Sequence, residues 1–149
     1  MLEAQALWLM GVEPVWNAGG RVEGVHLIPQ KELGRPRVDV VISATGLYRD
    51  HFPNTMEKLA LAARLASEAE GESEADNPIA ANTRRIAQKL RAGGMNEADA
   101  LDAAQTRIFS SSSGHYGTGI NYAAMDTDKW EGKADGDRKL AQLYLSRMQ

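Results

Sequence analysis

The stretch "GRPRVDVVISATGLYRDHFPN", residues 34–54, decides the fold. Val38 to Ala44 is β-branched and nearly continuous in apolar character, the pattern of a strand covered on both faces. It stops at Thr45-Gly46 and opens into an aromatic, a cation, an anion and an imidazole: Tyr48, Arg49, Asp50 and His51. A doubly covered strand reaches solvent only at its ends. In open α/β sheets ligands sit in the crevice beyond the carboxyl ends of the strands, which is where these four residues fall.

Outward from that strand, helical and extended patterns alternate. Leu2 to Met10 reads as a helix closed by Gly11, and two short β segments flank the turn Asn17 to Gly20. Asn54 stands three residues before Glu57, in capping-box spacing, and opens a helix to about Ala69. On that helix Met56, Leu59 and Ala63 share one face while Leu61 and Leu65 lie nearly opposite, so it is sandwiched or lacks a neighbour. Residues 67–77 are acidic and small and read as an exposed loop. Asn77-Pro78 caps a helix stopped by Gly93-Gly94, and Asn96 with Asp99 caps another reaching roughly Thr106. "RIFSSS" is a short strand, "SGHYGTGINYAAMD" a glycine-rich loop and "TDKWEGKADGD" turn-like; Leu140, Leu143, Tyr144 and Leu145 belong to a last helix.

The expectation is one α/β domain over residues 1–149, Rossmann-like, with a mostly parallel sheet flanked by helices. If its two glycine-followed strands are parallel neighbours, Thr45–Pro53 and Ser110–Asn121 meet at one edge. The chain opens on a helix with no lead-in and stops inside another, which reads as a piece of a larger protein.

Composition narrows the function. With 149 residues, 43% apolar, 25% charged and a net charge of −3, the chain is an ordinary globular domain with no electrostatic reason to bind nucleic acid. No apolar run is long enough to span a bilayer, and no signal peptide is visible, so a cytoplasmic location is expected. Zero cysteines exclude disulfides, thiolate metal sites and thiol nucleophiles.

Each candidate constellation competes with a plainer reading. Arg49 could hold a carboxylate by its planar fork, and Asp50 or His51 could take protons or ligate a metal. Taken alone, however, Arg49 and Asp50 fit better as hydrogen-bonding groups that hold the strand-to-helix turn. Gly114, Gly117 and Gly119 lack the Lys-Ser/Thr of a phosphate loop, so nucleotide binding is disfavoured; small residues there let backbone approach a flat ligand or another segment. Ser110 to Ser113 carry no nucleophile-elbow spacing. His26, His51 and His115 are scattered and define no metal site. Arg35 to Arg37 read as a solvated turn, and Trp8, Trp16 and Trp130 as core or domain-contact residues.

Together, the segments "ALWLMGVEPVW", "LGRPRVDVVISATGLYRDHFPN", "DNPIAANTR", "RIFSSSSGHYGTGI" and "LAQLYLSRM" resemble the large subunit of the chelatases that insert cobalt or magnesium into tetrapyrroles. These are the CobN-type aerobic cobaltochelatases and the H subunits of magnesium chelatase, and "DNPIAAN" leans toward the cobalt branch. The resemblance implies a subunit that binds the macrocycle, with Co2+ or Mg2+ as substrate ion and ATP hydrolysed on AAA+ partner subunits rather than in this chain. It implies partners in the rest of the large subunit, and a fragment inactive by itself. Asp50 or His51 would then serve as base or transient ligand. Tyr48, Arg49, Ser110, Gly114, His115 and Tyr116 would line the ring. The competing readings are a non-catalytic docking module of that subunit and a small α/β binding protein.

Overall fold

The computed structural model describes residues 2–126 and 132–148. In chain order the elements are α1 (Leu2–Met10), β1 (Val12–Trp16), β2 (Val22–Leu27), α2 (Gln30–Leu33), β3 (Ile42–Ala44), α3 (Gly46–His51), α4 (Pro53–Ser67), α5 (Pro78–Ala92), α6 (Glu97–Gln105), β4 (Ile108–Ser110), α7 (Ile120–Ala124) and α8 (Gly136–Arg147). Helices and strands mix as an α/β chain should. Parallel pairing is confined to β3–β4, and the other two-stranded sheet, β1–β2, is antiparallel. None of the described helices is long and apolar enough to cross a membrane. Packing divides the described residues into two compact units, 2–41 with 54–107, and 42–53 with 108–126 and 132–148.

In the first unit, α1 ends where expected, because Gly11 takes φ +74°, a conformation that side chains disfavour. The turn after β1 is closed by Asn17, whose Oδ1 accepts from the backbone N–H of Gly19 and Arg21 at 2.9 and 3.0 Å. Met10, Val12, Leu59 and Ile79 are buried, together with a run of alanines on α4, α5 and α6. Asn77 caps α5 as expected: its Oδ1 accepts from Ala80 N–H at 3.0 Å while its Nδ2 donates to the Ala66 carbonyl at 2.8 Å. Asn96 likewise accepts from Asp99 N–H at 2.9 Å.

Two arginines are buried, and the first corrects a reading of the surface. Arg37, expected in a solvated turn, is 1% exposed. It donates to the carbonyls of Met10, Gly11 and Ile28, and makes a two-pronged pair with Glu72 through Nη2–Oε1 at 2.6 Å and Nε–Oε2 at 2.8 Å. A buried guanidinium survives because each prong finds an acceptor. The acidic loop is therefore not simply exposed, since Glu72 is the counter-ion. Arg107 is 5% exposed and grips Asp39 through Nε–Oδ1 at 2.6 Å and Nη2–Oδ2 at 3.2 Å, while Asn82 Nδ2 donates to the same carboxylate at 2.7 Å. Trp8 and Trp16, expected in a core or contact, are 59% and 60% exposed. Arg35 lies over the Trp8 ring, 3.9 Å from its centroid. Trp130 lies outside the described residues, as does part of the segment read as turn-like.

In the second unit, β3 and β4 run parallel with Ile42 opposite Ile108 and Ala44 opposite Ser110. The expected strand from Val38 is shorter than its apolar pattern suggested. Val38 and Val41 belong instead to the first unit, where Val38 donates its N–H to the Leu9 carbonyl at 2.9 Å and Val41 is 72% exposed. Residues 46–51 form a helix rather than a loop, because the Thr45 hydroxyl accepts from Tyr48 N–H at 3.2 Å and caps it. Pro53, not a cap at Asn54, then starts α4, which ends at Ser67. The glycine-rich stretch also contains a helix, α7, entered through Gly119 at φ +77°.

Candidate functional site

Parallel pairing of β3 and β4 brings their carboxyl ends together, so the segments that follow them share one rim. The contact is close. A Cβ placed on Gly46 would lie 2.4 Å from the His115 carbonyl oxygen, 2.9 Å from Ser111 Oγ and 3.3 Å from the Tyr116 ring. Only glycine allows the head of α3 to meet the segment after β4 at this distance.

Hydrogen bonds fasten the same junction. Arg49 Nη1 donates to the Ser111 carbonyl, and Arg49 Nε donates to Asp50 Oδ1 at 2.8 Å. The Ser111 hydroxyl donates to the His115 carbonyl at 2.6 Å, closing a turn in which His115 N–H reaches the Ser112 carbonyl and Gly114 takes φ +81°. Asp50 is held below the usual carboxylate range, first by the Arg49 hydrogen bond and further by one from Tyr116, with desolvation opposing. The same pairing raises Arg49 above its ordinary value. Two buried atoms at the rim, Arg49 Nη2 and Ser110 Oγ, have no hydrogen-bond partner among the described residues.

Of the residues singled out from the sequence, Arg49, Asp50, Ser110, His115 and Tyr116 gather at this rim. Tyr48 meets the ring of Phe52, the residue that caps the end of α3, with centroids 5.0 Å apart and the planes tilted by 40°. Gly114 shapes the turn with its backbone and meets nothing where a side chain would be. His51 ends α3, exposed, with Nδ1 3.0 Å from the Leu47 carbonyl. Sequence reasoning passed over Gly46 and Ser111. The signal for Ser111 was a hydroxyl directly after a strand, where a buried polar group must find a partner. Among the described residues no three His, Cys, Asp or Glu side chains cluster as a metal cage.

Residues 1–149 match the family described as CobN/Magnesium Chelatase. The chain belongs to this family. It is 41% identical over 144 residues to the aerobic cobaltochelatase subunit CobN of Pseudomonas aeruginosa, covering 96% of this chain and 11% of that protein. The chloroplastic magnesium-chelatase subunit ChlH of Oryza sativa subsp. japonica is 37% identical over 144 residues, covering 97% of this chain and 9% of the relative. Among solved structures, the catalytic subunit of cobaltochelatase from Mycobacterium tuberculosis superposes with a TM-score of 0.77 at 35% identity, over 98% of this chain and 11% of that one. This CobN/magnesium chelatase segment thus spans about a tenth of the length of such relatives.

Proposed function

We propose that this chain is part of the large, tetrapyrrole- and metal-binding subunit of a cytoplasmic ATP-dependent chelatase, and that the β3–β4 rim is one wall of its macrocycle site. The observation that carries the reading is the convergence of Arg49, Asp50, Ser110, His115 and Tyr116 beyond two parallel strand ends. Inserting a divalent ion expels two pyrrole protons and calls for a proton acceptor, Asp50 or His51, at the ring. The ring's peripheral carboxylates call for a fork such as Arg49. Tyr116, 62% exposed, offers a flat face, and Tyr48, Gly114 and His115 complete the wall. Co2+ or Mg2+ is the substrate ion, and ATP is hydrolysed on AAA+ partner subunits.

The test is macrocycle titration of the whole large subunit by fluorescence quenching. Tyr116→Ala and Asp50→Ala should each weaken binding by about tenfold or more, roughly 1.4 kcal/mol. Unchanged titrations would remove the rim from the site.

A second reading, a docking module that binds no tetrapyrrole, is favoured by the apolar side chains this unit leaves exposed, Tyr122, Met125 and Leu145 among them. In that case Tyr122→Ser would disturb subunit assembly, and the rim variants would titrate like wild type.

A further inference from the structure

We propose that the cleft between α1, the β1–β2 hairpin and the head of α4 is a binding site for a small organic acid, a compact molecule with a flat apolar body and a carboxylate. Every residue that lines it belongs to the first unit, so the proposal does not rest on the reading of the β3–β4 rim.

The cleft encloses about 440 Å³. Sites for small molecules run from roughly 300 to 1,000 Å³, mostly apolar with a few polar groups that orient the guest. Its floor fits that description. Leu7 of α1 and Leu59 of α4 are buried beneath it, and Pro14 and Val25 stand opposite each other across the hairpin. Strand register places the wall. Pro14 and Trp16 alternate onto the face of β1 that buries Val12, and their partners on β2 are Val25 and Val22. The pairing skips Glu23 between Gly24 and Val22, a bulge that bends the hairpin where Trp16 stands. Trp16 lines the cleft while 60% exposed, so its indole offers a face on which a second flat ring can lie.

The charged groups decide the class of guest. Glu3, Arg21 and Lys58 line the cleft, two cations to one anion in a chain whose net charge is −3. Among the described residues neither cation has a carboxylate partner. Arg21 makes no side-chain hydrogen bond there, and Lys58 Nζ donates to the Asn54 carbonyl over 3.3 Å. A carboxylate answers both, Arg21 with its fork and Lys58 with its point charge. A neutral apolar guest would leave the cations unanswered, and a wholly polar one would leave the floor wet. The cleft is bounded by three elements rather than running along one helix, which suits a compact molecule better than a length of polypeptide.

The probe is 2-naphthoate, with 2-naphthalenemethanol as its uncharged counterpart, each titrated into the intact large subunit by ligand-observed NMR. Naphthoate should bind, and the alcohol should bind about tenfold more weakly. Arg21→Ala and Lys58→Ala should each weaken naphthoate about five- to tenfold and leave the alcohol within about twofold. Trp16→Ala should weaken both about fivefold. Trp16 and Arg21 are exposed and Lys58 is half-buried, so the three variants should keep the wild-type unfolding midpoint and the wild-type macrocycle titration. Naphthoate that fails to bind, or that binds the Arg21→Ala and Lys58→Ala proteins as well as wild type, overturns the proposal. Equal binding of acid and alcohol overturns it too, since the cations would then select nothing. Displacement of naphthoate by the macrocycle would make the cleft part of the macrocycle site and end its claim to a ligand of its own.

Discussion

At Gly46 a single missing methyl group lets two segments touch. Its Cβ direction is filled by a carbonyl oxygen 2.4 Å away, and a backbone atom cannot swing aside as a side-chain tip can. Gly46→Ala should therefore cost about 1–3 kcal/mol and free the His115–Tyr116 segment, read as a lower unfolding midpoint and faster exchange of the His115 amide. Asp50 sets a second expectation. Its folded value lies below its unfolded one, so the stability it lends the rim is present above the ordinary carboxylate range and is lost as pH falls through the depressed value. The Tyr116 ring resonances, followed by NMR, should shift in that acidic window in wild type and not in Asp50→Asn. Neither feature could be read from the chain alone. Asn77 and Asn96 announced themselves as caps because capping acts over three residues, whereas the partner of Gly46 is nearly seventy positions away.

Among elements, the informative failure is the strand that shrank. Val38 to Val41 carry a strand's apolar pattern, yet the pattern records which side chains are water-averse and not which backbone groups find a partner. Here Val38 bonds to α1's last turn, and Asp39 turns its carboxylate to Arg107. That pair ties together the two segments leading into β3 and β4, three and one positions before the strands begin. Arg107→Ala should leave Asp39 poorly compensated and cost about 3–5 kcal/mol. Pairing it with Asp39→Ala should cost less than the sum, a coupling that a double-mutant cycle in urea would reveal. By contrast, the parallel neighbourhood of β3 and β4 was legible, because two extended runs each ended in a polar, glycine-bearing stretch. Helices α3 and α7 were missed because both are short and hidden behind residues that usually signal turns.

Across the whole molecule, apolar surface stands open that a free-standing domain ordinarily hides. Leu2, Trp8 and Trp16 in the first unit, and Tyr122, Met125 and Leu145 in the second, stand exposed. Expressed by itself, the chain should bind an apolar dye such as ANS and associate with itself as concentration rises, which sedimentation velocity would detect. Leu2→Glu with Met125→Glu should reduce both signals. Leu61, which with Leu65 lies opposite the buried face of α4 and was already anomalous in the sequence, is 41% exposed, while Leu59, Ala62, Ala63 and Ala66 are buried. The two-sided helix was legible; what covers its second side was not.

The parallel pair β3–β4 carries one more implication. A ribbon of two strands, each three residues long, is a short sheet, and just past β4 Ser111 already forms an antiparallel bridge to Met148. Any further strand that joins it must match the pleat set where Ile42 pairs with Ile108 and Ala44 with Ser110. The pair is thus a template: polypeptide that docks alongside has its phase, and the direction its side chains point, chosen in advance.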